Sequence, residues 1–255
     1  MAKTIAVAGK GGTGKTTLSG FLINYLCKEG KGPILAVDAD ANSNLNEVLG
    51  VDIESTLGDI RETITTAEGD PNSPIPVGMT KADYLDARFG DVLIEEDDYD
   101  MLVMGRSQGK GCYCYVNGLL QTQIQRYAGQ YNYIVVDNEA GMEHISRGVL
   151  PKVDTVLLIS DSSRRGIQAV ARIAELVDEM GLKPEQVKLI VNRAPGGVLP
   201  SGVAEEIKEH GLDLAGVIPQ DDMVFEYDGE GKPTSQLTGE SAARAEFDKI
   251  VAGLI

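Results

Sequence analysis

The chain has 255 residues, with 23 Lys and Arg against 39 Asp and Glu, and a formal net charge of −16. That balance excludes nucleic acid and an anionic membrane surface as main partners, while an apolar content of 42% supports a packed core and excludes global disorder. Three cysteines cannot form a disulfide framework, no apolar run approaches the ~20 residues of a membrane span, and the chain opens without the apolar core of a secretion signal, so a cytoplasmic location is expected.

The predicted elements alternate. Residues 4–8 (TIAVA) form a short aliphatic run that reads as a strand, and a glycine-rich stretch, 9–16 (GKGGTGKT), separates it from a helical pattern over 16–30. A second strand pattern, 34–38, leads into Asp-Ala-Asp-Ala-Asn at 38–42. Residues 51–100 break the rhythm with Asp70-Pro71-Asn72-Ser73-Pro74 and the acidic run 95–100, and read as an irregular acidic excursion without a domain boundary. Strand patterns resume at 101–105, 133–137, 153–160, 187–192 and 214–219. Helical patterns fall at 115–129 and at 167–180, where Gly181 is the stop, and the mixed-charge tail 240–255 reads as a packed helix. Short, continuous aliphatic strands alternating with helices predict an α/β fold with a doubly wound, mostly parallel sheet flanked by helices.

The glycine-rich stretch matches G-x4-G-K-[ST] between a strand and a helix. Glycines there let successive N–H groups turn toward a phosphate chain, and the helix N-terminus adds partial positive charge. Gly9, Gly11, Gly12, Thr13, Gly14, Lys15, Thr16 and Thr17 are therefore expected to bind nucleotide, with Lys15 on the β- and γ-phosphates and the Thr16 hydroxyl on Mg2+. With Lys10 ahead of it, the loop resembles that of the deviant Walker A ATPases of the MinD, ParA, ArsA and nitrogenase-iron-protein family. The resemblance implies a P-loop NTPase fold over residues 1–255 as a single domain, and ATP hydrolysis. It also implies a nucleotide-bridged homodimer in which Lys10 reaches the partner's phosphates.

Further motifs extend the resemblance. The D-x-D of Asp38 and Asp40 is similar to the family's switch I pattern, which implies that Asp40 orients the attacking water and Asp38 lies near the Mg2+ shell. Asp137 ends a buried strand as a Walker B aspartate does, which suits a role behind Mg2+. Ala140-Gly141 resembles switch II, but Glu139 stands where the family usually has proline. Asn192, Arg193 and Pro219 occupy the places where relatives hold adenine, and the absence of N-K-x-D favours ATP over GTP.

Cys112 and Cys114 individualise the chain. Cysteines two apart in an extended segment point the same way and can share a metal, but they supply half of a four-coordinate sulfur site. A two-fold dimer would complete it. Soft ligands of this kind suit Zn2+, Cu(I), an Fe–S cluster or thiolate-bound Ni2+. Cys27 reads instead as a core cysteine in the first helix. The deviant loop, the C-x-C before Tyr115-Val116-Asn117 and the stretch 137–148 together resemble the CooC-type ATPases, nickel-insertion accessory proteins of carbon monoxide dehydrogenase. That resemblance implies a metallochaperone that binds ATP/ADP and Mg2+, carries Ni2+ or Zn2+ bridging two chains, and has apo carbon monoxide dehydrogenase as its client. An Fe–S carrier or reductase like the nitrogenase iron protein stands beside it, and roles for His144 and Arg164 stay open.

Overall fold

The computed structural model describes residues 2–40, 42–67, 73–105, 122, 125–138 and 152–255. The strands are β1 (Lys3–Gly9), β2 (Ile34–Ala39), β3 (Leu93–Glu95), β4 (Asp100–Val103), β5 (Tyr133–Asn138), β6 (Thr155–Asp161), β7 (Gln186–Ala194) and β8 (Leu214–Pro219), and all but β3 fall on the aliphatic runs. They form one eight-stranded sheet of spatial order β3-β4-β2-β5-β1-β6-β7-β8, as the α/β reading predicts. Every described pairing is parallel except β3 with β4. The chain builds outward from β1 on the β2 side, then crosses back to add β6 to β8 on the other. Open sheets of this kind bind ligands beyond the carboxyl ends of their strands, where that direction changes.

Helices cover the sheet: α1 (Lys15–Lys28), α2 (Leu45–Leu49), α3 (Leu57–Thr66), α4 (Lys81–Phe89), α5 (Arg164–Glu179), α6 (Ser201–Glu209), α7 (Asp222–Gly229) and α8 (Ala242–Ala252). Alternate strand residues face opposite layers. Ala6, Val37, Val136 and Leu158 pack with Ile60, Phe89, Ile167 and Val203 of α3 to α6. Ile5, Ile34, Val135 and Ile159 pack with Leu18, Phe21 and Leu22 of α1 and Phe247 and Val251 of α8. Phe21 and Phe247 meet edge to face at 5.8 Å, which fixes the tail helix onto α1. Arg244, only 1% exposed, pairs with Asp248 at 2.8 Å and lies over the Phe21 ring at 5.3 Å. The tail is thus a packed helix, and among the described residues no helix is long and apolar enough to cross a membrane.

The stretch 51–100 is not an irregular excursion throughout: it holds α3, α4 and β3. Both helices start at capping boxes, Thr56 with Asp59 and Thr80 with Asp83, a signal visible in the sequence. They are short, so their apolar period is carried by few residues, such as Ile60 and Ile64 or Leu85 and Phe89. The acidic run 95–100 covers the end of β3 and the tight turn into β4.

A single carboxylate joins the last two helices. Asp221 Oδ1 accepts from the Met223 amide at 2.9 Å, while Oδ2 accepts from Ser241 Oγ at 2.6 Å and the Ala243 amide at 2.9 Å. Burial alone would raise its pKa, but these hydrogen bonds outweigh burial and hold it below the usual carboxylate range. Its stabilisation is therefore present above the unfolded pKa of ~3.9 and is lost as pH falls through the lower folded value. Asp221→Ala should destabilise the protein by roughly 1–3 kcal/mol at neutral pH, since two helix starts lose an acceptor. Urea melts across pH should show this difference shrinking on the acid side; a difference unchanged at pH ~2 would contradict the capping account.

Candidate functional site

β1 runs directly into the phosphate loop. A Cβ at Gly9 would collide with the backbone carbonyl of Ile159 in β6, so only glycine lets the two strands meet there. Gly12 and Gly14 have φ of 79° and 89°, the left-handed region that glycine enters without strain. Thr13 Oγ1 and Lys15 Nζ both donate to the Lys10 carbonyl, at 2.9 and 3.4 Å. Lys15 is buried; Lys10 is exposed. Gly14 caps α1 without a side-chain acceptor, which leaves the first-turn amides free to meet an anion.

Two carboxylates face this helix start. Asp38 and Asp137 are register partners on adjacent parallel strands, so their side chains lie on the same face, and each is at most 1% exposed. Burial, supplemented by the neighbouring carboxylate, pushes Asp137 up to about 7, although the Thr16 and Ser19 hydroxyls and the Lys15 charge oppose it. Burial likewise pushes Asp38 up to about 6, against the hydrogen bonds it accepts. Those bonds come from the Leu45 amide, at Oδ2, and the Asp40 amide, at Oδ1, each at 3.0 Å. Asp38 thereby holds the turn that carries Asp40 and starts α2. Two buried carboxylates of raised pKa beside the Thr16 hydroxyl form a donor set that suits a divalent cation.

The opposite wall comes from β7. Between Val191 and Ala194 this strand advances three residues while β8 advances two, from Val217 to Pro219, which is a β-bulge. The bulge turns Asn192 and Arg193 toward the phosphate loop. Asn192 Nδ2 donates to the Thr13 carbonyl at 2.9 Å, and its Oδ1 accepts from the Arg193 amide at 2.9 Å. Arg193 donates to the Gly12 carbonyl at 3.1 Å and lies over the Phe225 ring at 5.5 Å. Its φ of 55° is a left-handed conformation that costs a non-glycine residue about 1 kcal/mol or more. Pro219 stands beside the bulge, and with Thr17, Phe21, Arg193 and Phe225 it encloses a small cavity of about 20 Å3.

The loop opens into a cleft of about 1140 Å3, walled by residues of the phosphate loop, Asp40, α2, Arg193 and the stretch from Asp228 to Thr234. Gly11, Gly12, Gly14, Lys15, Thr16, Thr17 and Asp40 are thus brought together on one cleft, with Asp38 and Asp137 behind them. Two residues that the motifs did not single out belong to this arrangement. Ser19 donates to Asp137 Oδ1 at 3.1 Å; its place one turn beyond Thr16, on the same helix face, was the available signal. Phe225 had no signal, since only the fold carries it to Arg193.

Cys112, Cys114, Glu139 and His144 lie outside the described residues. Among the described residues no group of three His, Cys, Asp or Glu is placed to hold a metal. Burial pushes the half-buried Cys27 thiol up to about 11, which suits a packing role rather than a reactive one. Arg164 binds the buried Glu206 at 2.6 Å and so ties α5 to α6.

Residues 4–234 match the family model described as the CobQ/CobB/MinD/ParA nucleotide binding domain. The chain is 41% identical over 256 residues to an uncharacterized ATP-binding protein of Methanocaldococcus jannaschii, covering 98% of both. It is 28% identical to the carbon monoxide dehydrogenase accessory protein CooC of Rhodospirillum rubrum, covering 98% of this chain and 95% of that one. In fold it is similar to the septum site-determining protein MinD of Pyrococcus horikoshii, solved with Mg-ADP. That similarity has a TM-score of 0.73 at 22% identity, covering all of this chain and 96% of the other. A phosphate loop at a helix start, aspartates at the ends of two adjacent strands and the full-length family match agree: the chain belongs to the CobQ/CobB/MinD/ParA nucleotide-binding family and is a P-loop ATPase.

Proposed function

We propose that the protein is an ATP-hydrolysing metallochaperone. It works as a homodimer that carries Ni2+ or Zn2+ between the Cys112 and Cys114 pairs of two chains and assists nickel insertion into carbon monoxide dehydrogenase. The observation that carries the reading is the C-x-C itself: one chain supplies two thiolates, and a four-coordinate soft site needs two chains. The end-to-end similarity to CooC supports the client, and dimerisation is common among MinD- and ParA-type relatives.

In this reading Gly9 to Thr17 bind the phosphates, with Lys15 neutralising the charge that develops between the β- and γ-phosphates. Thr16 and Asp137, backed by Asp38, would hold Mg2+, which supplies charge compensation to the phosphates when bound. Asp40 orients the attacking water from the cleft wall. Lys10, exposed beside the loop, is free to reach the phosphates of a second copy. Pro219 faces the base from the β8 side, while Asn192 and Arg193 border the phosphate loop.

Size-exclusion chromatography with metal analysis tests the proposal, with Ni2+ or Zn2+ and with ADP or ATP. The expected result is a metal-dependent dimer holding about one ion per two chains. Cys112→Ser with Cys114→Ser should abolish both the ion and the metal-dependent dimer while leaving ATP binding unchanged. An unaltered ion content in that double variant overturns the four-thiolate site. Brown, anaerobically purified protein with a cluster EPR signal would support the Fe–S carrier reading in its place.

A further inference from the structure

We infer that Asn192 and Arg193 form a clamp that holds the phosphate loop in its phosphate-accepting shape before nucleotide arrives. They act as positioning residues for the triphosphate rather than as readers of the base. The inference rests on the reading of residues 9–17 as the phosphate site. It assigns a task to the β7 bulge that the family resemblance, which places these positions at adenine, does not.

Four observations carry it. First, both residues spend side-chain donors on loop carbonyls, Asn192 on Thr13 and Arg193 on Gly12. These carbonyls must point away from the anion for the neighbouring N–H groups to point toward it, so tying them back sets the direction of the amides. Second, the Asn192 side chain is locked from its other end, because Oδ1 accepts the Arg193 amide, and the residue is only 5% exposed. Third, Gly14 is shaped to the clamp: a Cβ there would collide with Asn192 Nδ2. Fourth, Arg193 holds a left-handed backbone at a bulge, a strained geometry kept where neighbouring contacts impose it. Its guanidinium is braced by the Phe225 ring.

The chemistry separates a loop clamp from a base reader. A clamp serves any ligand with the triphosphate, including one that has no base. Binding of Mg-ATP and of Mg-tripolyphosphate should therefore be compared by calorimetry for wild type, Asn192→Ala, Arg193→Ala and Arg193→Lys. Each alanine variant removes one hydrogen bond to the loop, so both ligands should weaken by a similar factor of about 3 to 10. The effect should appear mainly in KM for ATP, with kcat at saturation changed less, because bound phosphates themselves order the loop. Arg193→Lys keeps a donor and should recover part of the loss for both ligands.

Weakened ATP with unchanged tripolyphosphate overturns the clamp in favour of base reading, and so does unchanged binding of both. A wild-type protein that fails to bind tripolyphosphate and ATP overturns the phosphate-site reading itself, a result distinct from either. Should Asn192→Ala not fold, as a thermal melt would show, Arg193→Ala decides alone, since its side chain is partly exposed.

Discussion

Replacing Lys15 by alanine should lower ATP turnover by about 100-fold or more and leave the melting temperature of the nucleotide-free protein within a few degrees of wild type. The argument starts from where the charge sits. Lys15 opens α1, is buried in the loop, and reaches the Lys10 carbonyl at 3.4 Å, a long and weak contact for an ammonium group. Little native packing depends on it. Its charge acts on Asp137 and, with nucleotide bound, on the phosphate oxygens where negative charge develops. Removing one such preorganised group from a water-poor site typically costs two to three orders of magnitude in rate, roughly 2.7–4 kcal/mol. Lys15→Arg should not restore activity, because a planar guanidinium does not fit where glycine-lined backbone closes around a compact ammonium. Phosphate release under saturating ATP, alongside a thermal melt, measures both halves. Turnover within threefold of wild type in a folded variant removes Lys15 from the phosphate site.

Asp137→Asn should separate stability from activity in opposite directions. The amide has nearly the carboxylate's size, and its oxygen can still accept from Ser19. What disappears is a buried charge beside Asp38. The native pKa of about 7 lies above the unfolded value of ~3.9, so the folded state binds the proton more tightly. Stability contributed in this way is fully present below pH ~4 and is lost as pH rises through about 7. The variant lacks that loss. It should melt higher than wild type at pH ~8 by a few degrees, with little difference near pH ~4. Its turnover should fall by about 100-fold, since the carboxylate that would back Mg2+ is gone. Addition of Mg-ATP should then raise the wild-type melting temperature far more than the variant's. A variant destabilised at pH ~8 overturns the account in which burial, supplemented by the Asp38 carboxylate, makes the Asp137 charge costly.

Much of this arrangement was legible because the relevant signals are local. The phosphate loop is a contiguous motif, and the aspartates of β2 and β5 each end an aliphatic run, so their place at the carboxyl edge followed from the strand pattern. The antiparallel strand β3 was not readable: with three residues it has no period, and only its pairing to β4 makes it a strand. Helix α7 was missed because it is short and contributes no fully buried residue, so it has no clear apolar face. The site shows the same division. Gly14 reads as a loop glycine from the motif, yet one of the two reasons it must be glycine, beside its positive φ, is an amide nitrogen far along the chain. Arg193 was placed near the nucleotide, but its left-handed backbone comes from a bulge that depends on how β7 meets β8. Local chemistry is written in the motif; the support for that chemistry is written in pairings between distant segments.

The bond from Asn192 to Thr13 joins positions 179 apart. During synthesis the residues that would touch phosphate emerge from the ribosome well before the residues that hold them in shape. A nascent or prematurely terminated chain thus displays the complete signature of a nucleotide site without its far wall.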